Sequence, residues 1–388
     1  MNMPPKNSIS AAAARLAPAI AARADEIEAA RRLPADLAAD LAAAGLFRLV
    51  VPKSLGGLEL PPAEVVATIE AVAAADASVG WCLMIAATTG LTSAYLPRAY
   101  AEQLFADPNV ITGGVFAPMG KAVVEGDHYR VNGRWSWGSG TANCAWIVGG
   151  SMIFDDGAMR TLPSGQPDHR MMIFPRAEVE LIDTWHSAGL KGTGSGDFAV
   201  KDVLVPRDRT VSLIVDRPRE TGALYAFPAF GLLALGIAGV ASGNARAALD
   251  AVKGALATKK PPGSQRTAAE RGANQVEIAK AEAQLRSARA LLYETIDTAW
   301  TRAQATGEID LATRADLRLA ATHMTRTAAA VTREAYDLGG GAALYLSNPL
   351  QRRFRDAHAM TQPMMVGPAT YELAGRVLLG LPTDASTL

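Results

Sequence analysis

The chain of 388 residues is longer than one typical hydrophobic core, so two or three packed units are expected. Lys and Arg together number 38, as do Asp and Glu, and this balance excludes the broad basic field that recruits nucleic acid. With 49% hydrophobic and 20% charged residues, the composition is that of a globular protein.

The first 109 residues are predicted to form an α-helical domain. A helix is expected over residues 8–31, where Ala and Leu alternate with charged residues as in an amphipathic helix. Further helices are expected to begin at residues whose types favour helix starts or caps, namely Pro34, Pro62, Asp76 and Pro97. Because no charged segment followed by an apolar one opens the chain, we expect no secretory signal and a cytoplasmic location.

Two uncharged apolar stretches, residues 77–97 and 221–245, approach the length that crosses a bilayer. Both contain glycine and either proline or hydroxyl residues, which disfavour membrane insertion. We therefore expect them to be buried in a helical bundle or a subunit interface, with no membrane association and no stable monomer. Cys82 and Cys144 lie far apart in apolar stretches, which predicts buried free thiols and no metal site.

From residue 110 to about 210 apolar residues tend to recur at every second position, and glycines separate the alternating segments. This pattern predicts a sheet or small barrel. The glycines within residues 192–196 lead into an alternating strand, whereas a dinucleotide-binding fingerprint would lead into a helix. Residues 155–169 are rich in Gly, Pro and Asp, so a surface loop is expected there.

Helical patterns return from residue 211 to the end of the chain. A charged, Pro-rich loop at residues 258–272 separates two long helices. The triple glycine at 339–341 follows a helix and not a strand, so it is a helix stop by itself and not a nucleotide-binding loop.

Several segments carry a family resemblance: residues 132–140 (Asn-Gly-Arg-Trp-Ser-Trp-Gly-Ser-Gly), 186–206, 336–342, 348–358 and 368–380. They resemble the acyl-CoA dehydrogenase superfamily, and are most similar to its flavin-dependent monooxygenase branch. The resemblance implies an α+β multidomain fold with an N-terminal helical domain at 1–109, a central β-barrel or sandwich at 110–210 and a C-terminal four-helix bundle at 211–388. It also implies a homotetramer.

The resemblance assigns cofactor roles to individual residues. Trp137 would line the flavin, and the Ser139 hydroxyl would lie near flavin N5. Backbone groups of Phe116 and Ala117 would contact the pyrimidine edge of the ring. The glycine turn would contact the flavin through Gly339, Gly340 and Gly341. The charged loop and the following helix of a neighbouring subunit would contact the flavin phosphates through Arg266 (or Arg271) and Gln275. Guanidinium groups suit flavin phosphates because their forked donors match phosphate oxygens.

Each of these residues also has a plainer interpretation from its type and position. Trp137 would be a half-buried strand aromatic, Ser139 a turn residue, and the charged loop a solvated surface. Trp81 is a candidate substrate-facing wall or a core tryptophan on an apolar helix. Tyr225 is a second candidate substrate contact.

The dehydrogenases of the superfamily need a carboxylate that removes a proton next to a thioester carbonyl. The two positions where relatives carry it fall at Met364 and near Ala229, and no acid lies between Glu220 and Asp250. Many of the oxygenases carry a histidine at the position of Pro363. The remaining polar candidates for catalysis are Ser139, His186 and His358.

The resemblance therefore favours the oxygenase component of a two-component flavin-dependent monooxygenase. It would use reduced FAD or FMN from a separate flavin reductase to hydroxylate an aromatic or heteroaromatic, indole-like small molecule. The alternatives are an acyl-CoA dehydrogenase or oxidase with a displaced base, and a catalytically silent scaffold.

Overall fold

The computed structural model describes residues 8–260 and 263–388. Helices form the N-terminal part, a sheet forms the middle, and helices form the C-terminal part, as expected. The N-terminal helices are α1 (Ile9–Ala22), α2 (Ala24–Ala30), α3 (Ala35–Ala43), α4 (Pro62–Ala75), α5 (Ala77–Gly90) and α6 (Arg98–Phe105). The helix predicted over residues 8–31 is thus divided at Arg23, whose side chain pairs with Glu26 and with Asp36 of α3.

Local sequence explains where these helices begin. Pro62 occupies the first turn of α4, where its missing N–H is not needed. Asp76 caps α5 by accepting a hydrogen bond from the Val79 amide over 3.0 Å. Pro34 and Pro97 stand immediately before α3 and α6. The predicted starts therefore agree with the structure to within one residue.

The middle of the chain forms one mixed sheet, which has eight strands in the described part of the chain. Its strands are β1 (Thr112–Glu125), β2 (His128–Trp135), β3 (Trp146–Asp155), β4 (Ala158–Met159), β5 (His169–Pro175), β6 (Glu180–Ile182), β7 (Asp197–Pro206) and β8 (Thr210–Val211). Their order is β6-β7-β2-β1-β3-β5-β8, with β4 paired to β3. Among the strands of the described residues, only β1 and β3 pair in parallel. One face covers a core centred on Trp135, Phe174 and Phe198.

The segment expected to be a surface loop at 155–169 is partly structured. It contains β4, and Thr161 bridges to Pro167. Its last residue, His169, is the first residue of β5 and pairs with Met152.

The C-terminal helices are α7 (Ala229–Thr258), α8 (Gly272–Thr306), α9 (Leu311–Gly339), α10 (Pro349–Met360) and α11 (Ala369–Leu378). Helix α7 packs against α9 and also against α4 and α5 of the N-terminal part. The two helices that are long and apolar enough to cross a membrane, Ala77–Ala94 and Ala229–Thr258, are each 83% buried within the most apolar window. The apolar stretches therefore form the core that joins the two helical parts.

Candidate active site

Trp81 and Ser139 join the helical N-terminal part to the sheet. Trp81 lies on α5, and its indole N–H donates to Ser139 Oγ over 3.1 Å. Ser139 lies between β2 and the short 3-10 turn Thr141–Asn143. Both side chains are buried. A predicted substrate residue and a predicted cofactor residue are thus in direct contact.

Ser139 is the first member of a chain of buried hydroxyl groups. Its Oγ lies 2.6 Å from Ser195 Oγ, which lies 2.6 Å from Thr193 Oγ1. Thr193 donates to the carbonyl oxygen of Leu190 over 2.8 Å. Sequence analysis did not single out Thr193 or Ser195. The sequence feature that could have identified them is the segment Gly-Thr-Gly-Ser-Gly at 192–196, where small hydroxyl residues alternate with glycine.

Glycines bring the two segments of this chain together. The Gly138 amide donates to the Gly196 carbonyl and the Gly140 amide to the Thr193 carbonyl, each over 2.9 Å. A Cβ atom at Gly196 would lie 2.6 Å from the Ile182 carbonyl oxygen. A larger residue there would therefore move the 192–196 segment away from Ser139.

Trp137 holds an indole at the surface two residues before Ser139. Its side chain is 63% exposed and its φ is 68°. The left-handed region costs a residue with a Cβ roughly 1–2 kcal/mol. Strain of this kind persists only where surrounding contacts impose it, and it is concentrated at functional sites. Trp137 is thus an exposed aromatic surface, and not the half-buried strand residue of the plainer interpretation.

Phe116 and Ala117 lie in an interruption within β1, and not in a hairpin connection. β1 pairs with β3 up to Val115 and again from Gly120, so residues 116–119 form a bulge without Cα partners in β3. The Phe116 ring meets Phe230 of α7 edge-on, with ring centres 4.6 Å apart. This segment therefore interrupts the register of the sheet next to α7.

His169 is a polar group near this interruption that sequence analysis missed. Its ring lies edge-on to Phe116, with centres 5.3 Å apart. Its Nε2 is buried and has no hydrogen-bond partner within the described residues. Burial lowers the pKa of this imidazole, so the neutral form is favoured. The sequence predicts a surface loop at His169 because the residues before it are rich in Gly and Pro.

The two histidines predicted to be catalytic are both exposed. His186 Nδ1 lies 3.3 Å from an Arg31 guanidinium nitrogen. His358 lies on α10, with its ring 4.5 Å from the Phe354 ring. In the described part of the chain neither histidine forms a hydrogen bond with the hydroxyls around Ser139. Their catalytic role stays a prediction.

The predicted phosphate contacts lie at one edge of the C-terminal helices. Arg266 and Gln275 are exposed, and the Gln275 amide donates to the Ala269 carbonyl over 3.0 Å. Residues 339–341 include Gly340 in the left-handed region, with φ 60°. Lys259, a cation that sequence analysis did not select, donates to the Gly339 carbonyl over 3.4 Å. The glycine turn and the charged loop are thus neighbours.

Tyr225, the second candidate substrate contact, is buried. Its hydroxyl donates to the Val50 carbonyl over 3.4 Å, and burial raises the pKa of the phenol. The two positions at which dehydrogenases carry a base offer no carboxyl group. Ala229 is the first residue of α7 and Met364 is 72% exposed.

Asp356 of α10 is buried and accepts a hydrogen bond from the Leu190 amide over 2.6 Å. Burial and the nearby Asp76 raise the pKa of Asp356 to about 7. Arg355, the neighbour of Asp356 in the sequence, donates to Glu28 over 2.6 Å. Asp356 thus anchors the turn whose carbonyl, at Leu190, ends the hydroxyl chain.

Comparison with known proteins identifies the family. The family model described as "Acyl-CoA dehydrogenase, N-terminal domain" matches residues 7–102, and that described as "Acyl-CoA dehydrogenase, C-terminal domain" matches residues 235–367. Indole-3-acetate monooxygenase of Pseudomonas putida is 34% identical to the chain over 364 residues, which cover 92% of this chain and 90% of that protein.

Two further relatives agree with this result. The flavin-dependent monooxygenase oxygenase subunit HsaA of Mycobacterium tuberculosis is 31% identical, covering 97% of this chain and 96% of its own. The crystal structure of 3-HSA hydroxylase from Rhodococcus sp. RHA1 superposes with a TM-score of 0.91 at 27% identity, covering 98% of this chain and 99% of that one. The chain belongs to the acyl-CoA dehydrogenase superfamily, within its branch of flavin-dependent monooxygenases.

Proposed function

We propose that this protein is the oxygenase component of a two-component monooxygenase that hydroxylates an aromatic or heteroaromatic, indole-like small molecule with O₂ and reduced FAD or FMN. The observation that carries the proposal is a buried hydroxyl at Ser139 that follows the exposed indole of Trp137 by two residues in the chain. The two expected base positions, Ala229 and Met364, bear no carboxyl group, which disfavours thioester dehydrogenation.

The residues present fit a flavin ring. Trp137 offers a flat apolar surface, held in place despite backbone strain. Residues 116–119 form a bulge in β1, and backbone N–H and C=O groups at such a bulge would suit the pyrimidine edge of the ring. Ser139 provides a hydroxyl two residues from the indole. When bound, reduced flavin would supply the electrons that activate O₂.

Helix α5 supports an apolar substrate chamber. Trp81, Ile85 and Thr88 are spaced to share one face of this helix, and Ile85 and Thr88 are partly exposed. The Thr88 hydroxyl donates back to the Met84 carbonyl over 2.8 Å, so little polar character is left for a ligand. Because the Trp81 N–H is engaged by Ser139, its ring face is the part available to an aromatic substrate. This wall would exclude water from the reacting oxygen.

The proposal predicts oxygen transfer that depends on a reductase. With a flavin reductase, NADH, FMN or FAD and ¹⁸O₂, the protein should place one ¹⁸O atom in an aromatic test substrate such as indole-3-acetate or a phenol, as measured by mass spectrometry. Omitting the reductase should abolish incorporation unless chemically reduced flavin is supplied. Bleaching of a tightly bound flavin by an acyl-CoA, without oxygen incorporation, would instead establish a dehydrogenase. A silent scaffold would give neither result.

Replacing Trp137 separates its proposed role in flavin binding from the backbone strain that its left-handed conformation imposes on the fold. Trp137→Asn should weaken flavin binding by about tenfold or more, because the ring loses its aromatic support. The same change should leave the free energy of unfolding equal or raise it by up to ~1 kcal/mol, since asparagine tolerates the left-handed region. Trp137→Phe is the matched control that keeps an aromatic face. Flavin titration and urea unfolding measure the two effects, and unchanged binding in the Asn variant would contradict the role.

The proposed enzyme works with partners. A separate flavin reductase supplies the reduced cofactor, in keeping with the names "oxygenase subunit" and "oxygenase component" of its relatives. We further propose a homotetramer in the cytoplasm. Support for self-association comes from large apolar side chains that this chain alone leaves exposed, namely Leu344, Tyr345, Leu346, Leu378 and Leu379.

A further inference from the structure

The chain of hydroxyl groups that begins at Ser139 lies between a hydrogen-bond donor and a hydrogen-bond acceptor. At one end, the Trp81 indole N–H can only donate a hydrogen bond. At the other end, the Leu190 carbonyl oxygen can only accept one. Between them stand three hydroxyls, each with a single proton. One set of directions makes every contact a hydrogen bond, and in that set each hydroxyl donates towards Leu190.

The proton assignments are determined one after another from the carbonyl end. In this arrangement Thr193 uses its only hydroxyl proton to donate to the Leu190 carbonyl, and it accepts from Ser195. Ser195 then has no proton left and must accept from Ser139 over 2.6 Å. The Ser139 proton therefore points into the protein. Its oxygen accepts from Trp81 and retains one further lone pair.

The direction of these hydrogen bonds determines whether Ser139 donates a hydrogen bond to a ligand or accepts one from it. A hydroxyl in water rotates and either donates or accepts, but the side chains around Ser139 are buried and provide no competing partner in the described part of the chain. A ligand that reaches Ser139 Oγ consequently meets a hydrogen-bond acceptor. A ligand that presents an N–H there gains a hydrogen bond, whereas one that presents a lone pair meets another lone pair.

We propose that Trp81, Ser195 and Thr193 are positioning residues that hold Ser139 as a hydrogen-bond acceptor, so that the site binds reduced flavin in preference to oxidised flavin. The proposal rests on the proposed function, which places the central ring of the flavin beside Trp137 and Ser139. Reduced flavin carries a hydrogen on N5, whereas oxidised flavin has a lone pair at the same atom. The protein would thus select the redox state through the direction of a hydroxyl, without a charged group.

The test is the ratio of the dissociation constants of oxidised and reduced flavin. Oxidised FMN or FAD is titrated by absorbance, and dithionite-reduced flavin by anaerobic ultrafiltration. Ser195→Ala removes the acceptor of the Ser139 proton, and Thr193→Val lets Ser195 donate towards Ser139. Both changes free Ser139 to donate, and both should lower the ratio by about three- to tenfold. Tighter binding of oxidised flavin should account for part of this change.

Two control variants separate the effect of hydrogen-bond direction from the effect of side-chain packing. Thr193→Ser keeps the hydroxyl and should retain the ratio of the unmodified protein. Ser242→Ala removes a buried serine of α7, outside the chain of hydroxyls, and should also leave the ratio unchanged. A purely structural role would lower stability in the Ala and Val variants and leave the ratio as it was. That result, with both flavin states still bound, would overturn the inference and leave the proposed function intact. Failure of the unmodified protein to bind either state would overturn the proposed function itself.

Discussion

Gly189→Ala is expected to reduce the free energy of unfolding by about 3 kcal/mol or more. A Cβ atom at this position would lie 2.2 Å from the Arg355 carbonyl oxygen and 2.9 Å from the Asp356 amide nitrogen. Both obstacles are backbone atoms of α10, so no flexible side chain can move aside. The 186–196 segment would have to separate from the helix, at the cost of the hydrogen bond between Leu190 and Asp356.

Urea unfolding measures this loss, and flavin titration measures its consequence at the site. Since Leu190 also ends the hydroxyl chain, its displacement should lower the preference for reduced flavin as well. Gly254→Ala is the matched control, because a Cβ there meets nothing within 4 Å in the interior of α7. That change should stabilise the protein by roughly 0.5–1 kcal/mol. A loss under about 1 kcal/mol in Gly189→Ala would show that the segment and α10 are not rigidly joined.

Asp356→Asn is expected to remove a pH dependence of stability between about pH 4 and pH 7. In the folded protein burial and Asp76 raise the pKa of Asp356 to about 7, whereas an unfolded aspartate titrates near 4. Below pH 4 the carboxyl is neutral in both states, and its contribution to stability is complete. As pH rises towards 7 the unfolded chain loses the proton first, so the folded state loses stability relative to it. Above pH 7 no further change is expected from this group.

The variant keeps an oxygen that can accept from the Leu190 amide, but it carries no charge at any pH. Its stability relative to the unmodified protein should therefore increase from pH 4 to pH 8 by roughly 2–4 kcal/mol. Charged groups near Asp356 include Arg353, Arg355 and Glu28, and both proteins retain them. Urea unfolding across the pH range measures the difference. Parallel pH profiles for the two proteins would show that Asp356 remains ionised inside the fold.

The role of Asp356 was not predictable from neighbouring residues in the sequence. Arg355 stands next to it, and these adjacent opposite charges suggest a structural ion pair at a subunit contact. In the structure Arg355 binds Glu28, and Asp356 binds an amide 166 residues away. His169 is a similar case, because pairing with Met152 draws it from an apparent loop into β5. In both cases a distant partner overrides the local pattern.

Other features agreed with expectation because their causes are local. Asp76 caps α5 through an amide three residues away, and the proline at 62 begins α4. The alternating segment between residues 110 and 210 forms strands. The exposed position of Trp137 and its left-handed backbone have no signal in residue type.

By itself the sequence determined the order of helical and β segments, the helix starts, and the lack of a carboxyl group at Ala229 and Met364. These features follow from residue type and short-range spacing. Only the tertiary structure decided which way the Ser139 hydroxyl points and that Asp356 is buried. Each depends on groups that approach from distant parts of the chain, and the direction of a hydrogen bond or the pKa of a carboxyl is set by those partners.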